Sequence, residues 1–254
     1  MRIPRLVIAG TYSGVGKTTV TLALLAALKV RGCLVQPFKA GQDFIDPGHH
    51  SAVTGRPSRN LDGWMLGESV NREIFTRASA YADLSIIEGM MGLFDGSSPV
   101  NEIGSTAELA KQLDAPVLLV IDGSAMARSA AAMVAGYAKF DPALRVVGVL
   151  FNRVSSEGHY TLLKEAVEQE SDVVAVGYLR PDSAVTIFRS PSRAGDCNGA
   201  GDRQTLRSAC EGGRRNGRSE PNRGTGRFVQ RVAGGGTAAR DEESRAYGSN
   251  RCRA

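Results

Sequence analysis

The chain has 254 residues, room for one large domain or two small ones. Its 31 Lys and Arg exceed its 26 Asp and Glu only because of one segment. Residues 188–254 hold 14 Arg, no Lys and 7 acidic residues, whereas residues 1–187 hold 17 basic and 19 acidic ones, so the overall basic charge says nothing about the partners of residues 1–187. No apolar run approaches the ~18 residues of a membrane span, and no secretory n-region precedes the first apolar run, so a soluble, cytoplasmic protein is expected.

In chain order, an apolar run at 4–9 leads into Gly10-Thr-Tyr-Ser-Gly-Val-Gly-Lys-Thr-Thr19, and a helical pattern over 17–31 leaves it. Strand, Gly-rich turn and helix is the context that a phosphate-binding P-loop requires. Its backbone N–H groups and the helix N-terminus make an anion cradle. Gly14, Val15, Gly16, Lys17, Thr18 and Thr19 are the expected nucleotide contacts. Lys17 would reach the β- and γ-phosphates, and the Thr18 hydroxyl would take a place on Mg²⁺. The usual first Gly is replaced by Thr11, with Gly10 one place further back, which predicts a loop one residue longer than standard.

Further strands are expected at 33–38, 84–88, 116–121, 145–151 and 173–178, and helices at 68–82, 104–114, 124–139 and 157–170. Short Val/Ile/Leu runs alternating with helical patterns predict an α/β fold, a P-loop NTPase-like, doubly wound and mainly parallel sheet covered on both faces. Ligands in such sheets bind at the carboxyl ends of the strands. After Phe38 comes Lys39-Ala-Gly-Gln-Asp-Phe-Ile-Asp-Pro-Gly-His-His50, read as a Gly/Pro loop with Asp43 and Asp46 as paired carboxylates. After Ile87 stand Glu88 and, on a Gly-rich loop, Asp95; a carboxylate closing a buried strand beside a P-loop can hold Mg²⁺ or its water. Thr18, Asp43 and Glu88 form the expected metal set, and Lys17, Asp43, Asp46, Glu88 and Asp95 the catalytic one. Asp122 follows the next strand and reads equally well as a helix N-cap. Asn152 and Arg153 follow the one after. His49 and His50 are adjacent, a poor geometry for one metal, and read as a solvated loop. Cys33 reads as small apolar filler, and Cys197, Cys210 and Cys252 lack metal-ligand spacing.

These segments resemble the cobyrinic (or hydrogenobyrinic) acid a,c-diamide synthase family, relatives of dethiobiotin synthetase. The resemblance rests on Gly10-Thr-x-Ser-Gly-Val-Gly-Lys-Thr-Thr19, Lys39-Ala-Gly-x-Asp-x-Ile-Asp-Pro47, Arg59-Asn-Leu-Asp62, Ile87-Glu-Gly-x-Met-Gly-Leu-Phe-Asp-Gly96, Ala125-Met-Ala-x-Ser-Ala-Ala-Ala132 and Leu150-Phe-Asn-Arg-Val154. It implies an ATP-dependent synthetase domain over residues 1–187 that phosphorylates the a- and c-acetate carboxylates of a corrin-ring polycarboxylate. Ammonia, drawn in the family from glutamine, then displaces phosphate. It further implies that Asp43, Asp46, Glu88 and Asp95 serve metal, nucleotide and substrate intermediate, that Asn152 contacts the nucleotide base, and that a homodimer is compatible with the fold. The cofactors implied are ATP and Mg²⁺.

The family continues with a glutamine amidotransferase domain, and residues 188–254 resemble no part of it. Where the family text runs close to His-Leu-Gly-Leu-Val-Thr-Ala-x-Glu, this chain reads Pro191-Ser-Arg-Ala-Gly-Asp-Cys-Asn-Gly-Ala200. One permitted choice of codons for that string, read one base later, gives the family text, so the segment is expected to be an out-of-frame translation. Its poverty in Leu, Ile, Val and Phe predicts an Arg/Gly-rich tail that does not fold alone. A nucleic-acid-binding arm is disfavoured by the lack of interleaved aromatics and repeated Arg-Gly-Gly units. A dethiobiotin synthetase-like ligase and a ParA- or MinD-like ATPase switch are the remaining alternatives; against the switch stand Tyr12 and Ser13, where such proteins carry an early P-loop lysine.

Overall fold

The computed structural model describes residues 3–181; the expectations for the tail, from 188 onward, lie outside the described residues. Seven strands form one sheet: β1 (Arg5–Gly10), β2 (Val35–Ala40), β3 (Arg59–Leu61), β4 (Leu84–Glu88), β5 (Val117–Asp122), β6 (Val146–Asn152) and β7 (Val174–Tyr178). Their order is β3-β2-β4-β1-β5-β6-β7, and every pairing is parallel. Six helices connect them: α1 (Lys17–Val30), α2 (Asp46–Thr54), α3 (Gly67–Ser79), α4 (Thr106–Gln112), α5 (Ser129–Phe140) and α6 (Glu157–Glu170).

Alternation along the strands builds the two-faced core. In β1, Leu6 and Ile8 point into a cluster with Val20, Leu25 and Leu28 of α1, while Val7 and Ala9 point into the opposite cluster with Phe75, Ala107, Leu109 and Val134. Because both faces are covered, the central strands read as continuous apolar runs. Burying a Val, Ile or Leu side chain contributes roughly 1.5–3 kcal/mol, so these runs dominate the choice of element.

Two elements differ from the sequence reading. Residues 46–54 are helical, not a Gly/Pro loop. Asp46 opens α2, and Pro47 sits in its first turn, where a missing N–H costs nothing. The stretch Asp-Pro-Gly-His-His-Ser-Ala-Val-Thr has no apolar stripe, and its only buried side chain is His50. Strand β3 is three residues long at the sheet edge, with Arg59 exposed, so nothing apolar announces it.

Strand order places β1 between β4 and β5. Successive crossovers diverge from β1 to opposite sides of the sheet, which opens a crevice at the carboxyl ends of these strands. The P-loop leaves β1 directly into that crevice.

Candidate functional site

The loop from Thr11 to Gly16 is held from outside by its carbonyls. The Gly10 carbonyl accepts from Leu93 N, and the Thr11 carbonyl from Tyr137 Oη at 2.7 Å. Gly14 O accepts from Arg153 Nη2 at 3.0 Å, and Val15 O from Asn152 Nδ2 at 2.9 Å. Gly16 O accepts from Val20 N, the first bond of α1. In each peptide the N–H points opposite to the C=O, so the tethers on Gly14 O and Val15 O turn the N–H groups of Val15 and Gly16 away from Arg153 and Asn152. Helix α1 starts there with no side-chain cap and no acidic residue of its own in its first turn, so the positive end of its dipole is free to face an anion. The result is an anion cradle.

Glycine is required at two places. Gly10 closes β1, and a Cβ there would lie 2.5 Å from Val15 Cγ1 and 3.0 Å from Lys17 Cγ. Gly16 has φ +105°, and its Cβ would lie 2.1 Å from Asn152 Nδ2.

Lys17 is buried, and its ammonium donates to the carbonyls of Tyr12 (3.2 Å) and Met91. Burial, and then the charge of Lys39, lower its pKa to about 8. Thr18 Oγ1 donates to Glu88 Oε1 at 2.6 Å and lies 3.3 Å from Asp46 Oδ2. Glu88 is 0% exposed. Burial alone would raise its pKa, but the hydrogen bond from His50 and the charge of Lys39 outweigh burial and bring it to about 2. Lys39 is next to last in β2, and its Nζ sits 2.9 Å from Glu88 Oε1, 2.6 Å from Asp46 Oδ2 and 3.8 Å from Asp43 Oδ2. Its own pKa is raised, because the two nearer carboxylates override burial. Asp46 moves up, through burial and the neighbouring charge of Glu88.

The crevice thus gathers Lys17, Thr18, Asp46 and Glu88 directly. Asp43 stands one step out: its Oδ1 accepts from the amides of Ile45 (2.8 Å) and Asp46 (3.1 Å), which fixes the entry to α2. Its recorded side-chain contact to the cluster runs through Lys39, so Asp46 is the carboxylate nearer to Thr18. Asp95 folds back on its own loop, with Oδ2 accepting from Gly92 N at 2.9 Å. Thr19 follows Thr18 on the first turn of α1, and Asn152 packs under Val15 and Gly16.

Sequence reasoning missed two participants. His50, read as part of a solvated loop, is 0% exposed, with Nε2 2.7 Å from Glu88 Oε2. The correction follows from α2, which turns His50 inward while leaving His49 outside the buried set. Lys39 is the other, and its signal in the sequence is a lysine at the end of an apolar run, where a charge is buried only with partners. Asp122 is no N-cap of α5, which starts seven residues later. It accepts from Ser124 N and Oγ and pairs with Arg153, while Tyr12 Oη donates to it at 3.2 Å.

A P-loop on β1, with a threonine and a strand-end carboxylate in contact, is a nucleotide-site geometry, and comparison with known proteins agrees. Residues 6–190 match the model of the CobQ/CobB/MinD/ParA nucleotide binding domain. The chain belongs to that family. Over 183 residues it is 56% identical to a cobyrinate a,c-diamide synthase of Priestia megaterium, covering 72% of this chain and 40% of that protein. Over 167 residues it is 57% identical to the enzyme of the same name from Syntrophotalea carbinolica, covering 66% and 36%. A hydrogenobyrinate a,c-diamide synthase of Streptomyces coelicolor is 46% identical over 191 residues, covering 75% and 38%. The chain therefore spans about two fifths of the length of these relatives. Among solved structures, the signal recognition particle receptor FtsY of Elizabethkingia anophelis aligns with a TM-score of 0.52 at 20% identity, over 74% of this chain and 62% of that one. That likeness concerns the fold alone. Among the described residues no helix is long and apolar enough to cross a membrane.

The oxygens that meet under the loop, Thr18 Oγ1, Glu88 Oε1 and Asp46 Oδ2, are hard donors that suit Mg²⁺. No group of three or more His, Cys, Asp or Glu among the described residues could hold a metal by itself. Such a set suits an ion that takes one or two protein carboxylates and shares the rest of its shell with phosphate and water.

Proposed function

We propose that residues 1–187 are the ATP-binding synthetase domain of a cobyrinate or hydrogenobyrinate a,c-diamide synthase. The observation that carries the reading is the 2.6 Å contact between the P-loop hydroxyl of Thr18 and Glu88, with Lys39 and Asp46 beside them. The substrate class comes from the relatives' names. A carboxylate is a poor electrophile at neutral pH. ATP converts each acetate carboxylate of the corrin substrate into an acyl phosphate, and ammonia displaces inorganic phosphate to leave the amide.

The chain's own contribution is positioning and charge. Loop amides from Gly14 to Thr18 and the α1 N-terminus hold the phosphate oxygens, and Lys17 leaves its two carbonyl acceptors to donate to the terminal phosphates. Thr18, Glu88 and Asp46, with Asp43 behind them, would hold Mg²⁺, which when bound offsets phosphate charge. Lys39 offsets the three carboxylates around it and keeps them from repelling the anionic partners. Asp95, on the loop that leaves β4, would position the acceptor carboxyl and its acyl phosphate. Asn152, which already donates to Val15 O, would contact the nucleotide base. Tyr12, whose hydroxyl donates to Asp122 of its own chain, occupies the place of the cross-dimer lysine of ParA-like switches. That observation favours a biosynthetic ligase over a switch.

Titration of the chain with Mg·ATP, wild type against Lys17→Ala, tests the site, and equal affinities at matched folding would refute it. Turnover of the corrin polycarboxylate with ammonia as nitrogen donor tests the reaction. Asp95→Asn, whose amide oxygen can still accept from Gly92 N, should keep its melting temperature and lose turnover by about 100-fold.

A further inference from the structure

The two oxygens of Glu88 have different partners. Oε1 accepts from Thr18 Oγ1 (2.6 Å) and Lys39 Nζ (2.9 Å), on the P-loop side. Oε2 faces away and meets His50 Nε2 at 2.7 Å. Both residues are 0% exposed, so no bulk water competes for Oε2. The far side of the imidazole is anchored as well. His50 Nδ1 lies 3.3 Å from Ser58 Oγ, Ser58 N donates to Ser51 Oγ at 2.9 Å, and Ser51 Oγ donates to Pro47 O at 2.6 Å. The imidazole is therefore tied to both ends of the α2–β3 connection.

An ionised carboxylate only accepts hydrogen bonds, so Nε2 must carry a proton and donate it to Oε2. We propose that His50 is a positioning residue that fixes the carboxylate plane of Glu88, so that Oε1 alone is presented to the nucleotide-bound cation. The proposal rests on the reading of Glu88 as part of the Mg·ATP site. With an apolar side chain at position 50, Oε2 would be buried without a donor. The carboxylate would then rotate to share Lys39 and Thr18 between both oxygens, and Oε1 would leave its line to the P-loop. A partner that orients a metal-holding carboxylate is typically worth about 10–100-fold in metal affinity. His50 meets Glu88 on the Oε2 side, opposite the oxygen that faces Thr18, so its effect should appear only where the cation is involved.

The test uses the full 254-residue chain and three proteins: wild type, His50→Leu and His50→Gln. ATP affinity is measured by calorimetry twice, with saturating Mg²⁺ and with EDTA. His50→Leu should lose about 10–100-fold in the Mg²⁺ titration and keep its affinity in EDTA. In His50→Gln, the side-chain N–H can reach Oε2, and most of the Mg²⁺-dependent affinity should return. Wild-type affinity for Mg·ATP in His50→Leu overturns the proposal. An equal loss with and without Mg²⁺ also overturns it, since that pattern marks a structural residue. A wild-type protein that binds ATP equally with and without Mg²⁺ overturns the functional reading of Glu88, and the proposal with it. Nitrogen-15 spectra of His50 in the wild type provide a check that needs no variant: a proton on Nε2 is expected, and an Nδ1–H tautomer refutes the orientation.

Discussion

Replacing Lys39 with methionine removes the ammonium that pairs with Glu88, Asp46 and Asp43 while keeping an unbranched chain of similar length in β2. Glu88 is fully buried and Asp46 is largely so, with Nζ–oxygen distances of 2.9 and 2.6 Å in the native protein. Removing one partner of a buried ion pair costs ~3–5 kcal/mol, because the other charge stays buried without compensation. The pKa of Glu88 shows what its partners together, the hydrogen bond from His50 and then the charge of Lys39, supply against burial. A fall from 4.5 to about 2 on folding contributes roughly 3 kcal/mol above the unfolded value. The sign is that of a depressed carboxylate: the contribution is complete above pH 4.5 and is lost as pH falls toward 2. In Lys39→Met, Glu88 should take up a proton at a pH well above its native value. Urea unfolding of both proteins at pH 7 and at pH 3.5 measures this. The variant should lose ~3–5 kcal/mol at pH 7 and clearly less at pH 3.5, where a proton replaces the ammonium. A loss that is the same at both values, or absent at pH 7, would refute the account of Lys39 as the counter-ion.

Two further predictions concern the P-loop. Gly16→Ala puts a Cβ where φ is +105° and Asn152 Nδ2 is 2.1 Å away, so the loop must shift. The variant should melt lower by the equivalent of ~1–3 kcal/mol and lose measurable ATP binding; an unchanged ATP affinity would show that the packing on Asn152 does not shape the cradle. Arg153 ties Gly14 O to Asp122 across the end of β6. Arg153→Ala and Asp122→Asn should each weaken ATP binding and couple by more than ~0.5 kcal/mol in a double-mutant cycle, whereas additive effects would show that the two act separately.

How much of this was written in the sequence depends on how far apart the interacting residues lie. The apolar runs of β1, β4, β5 and β6, buried on both faces, announced an α/β sheet, and the Gly-Val-Gly-Lys-Thr-Thr string between a strand and a helix announced a phosphate cradle. Those signals are local: a strand or a turn depends on neighbours a few positions away. The same logic failed for α2 and β3. One is built from Asp-Pro-Gly-His-His without an apolar stripe, and the other is three residues of which only Leu61 is buried. Which carboxylate meets which cation was not local at all. Thr18 and Glu88 are 70 residues apart, Lys39 and Glu88 49, and Asn152 and Val15 137. They meet because β2, β4 and β1 are adjacent in the sheet, with β6 two places beyond β1, an order that no run of residues encodes. Only the tertiary structure chose Asp46 over Asp43 as the neighbour of Thr18 and turned His50 inward onto Glu88. A buried carboxylate must find donors for both of its oxygens, and the packed sheet and α2 decide which ones lie within reach.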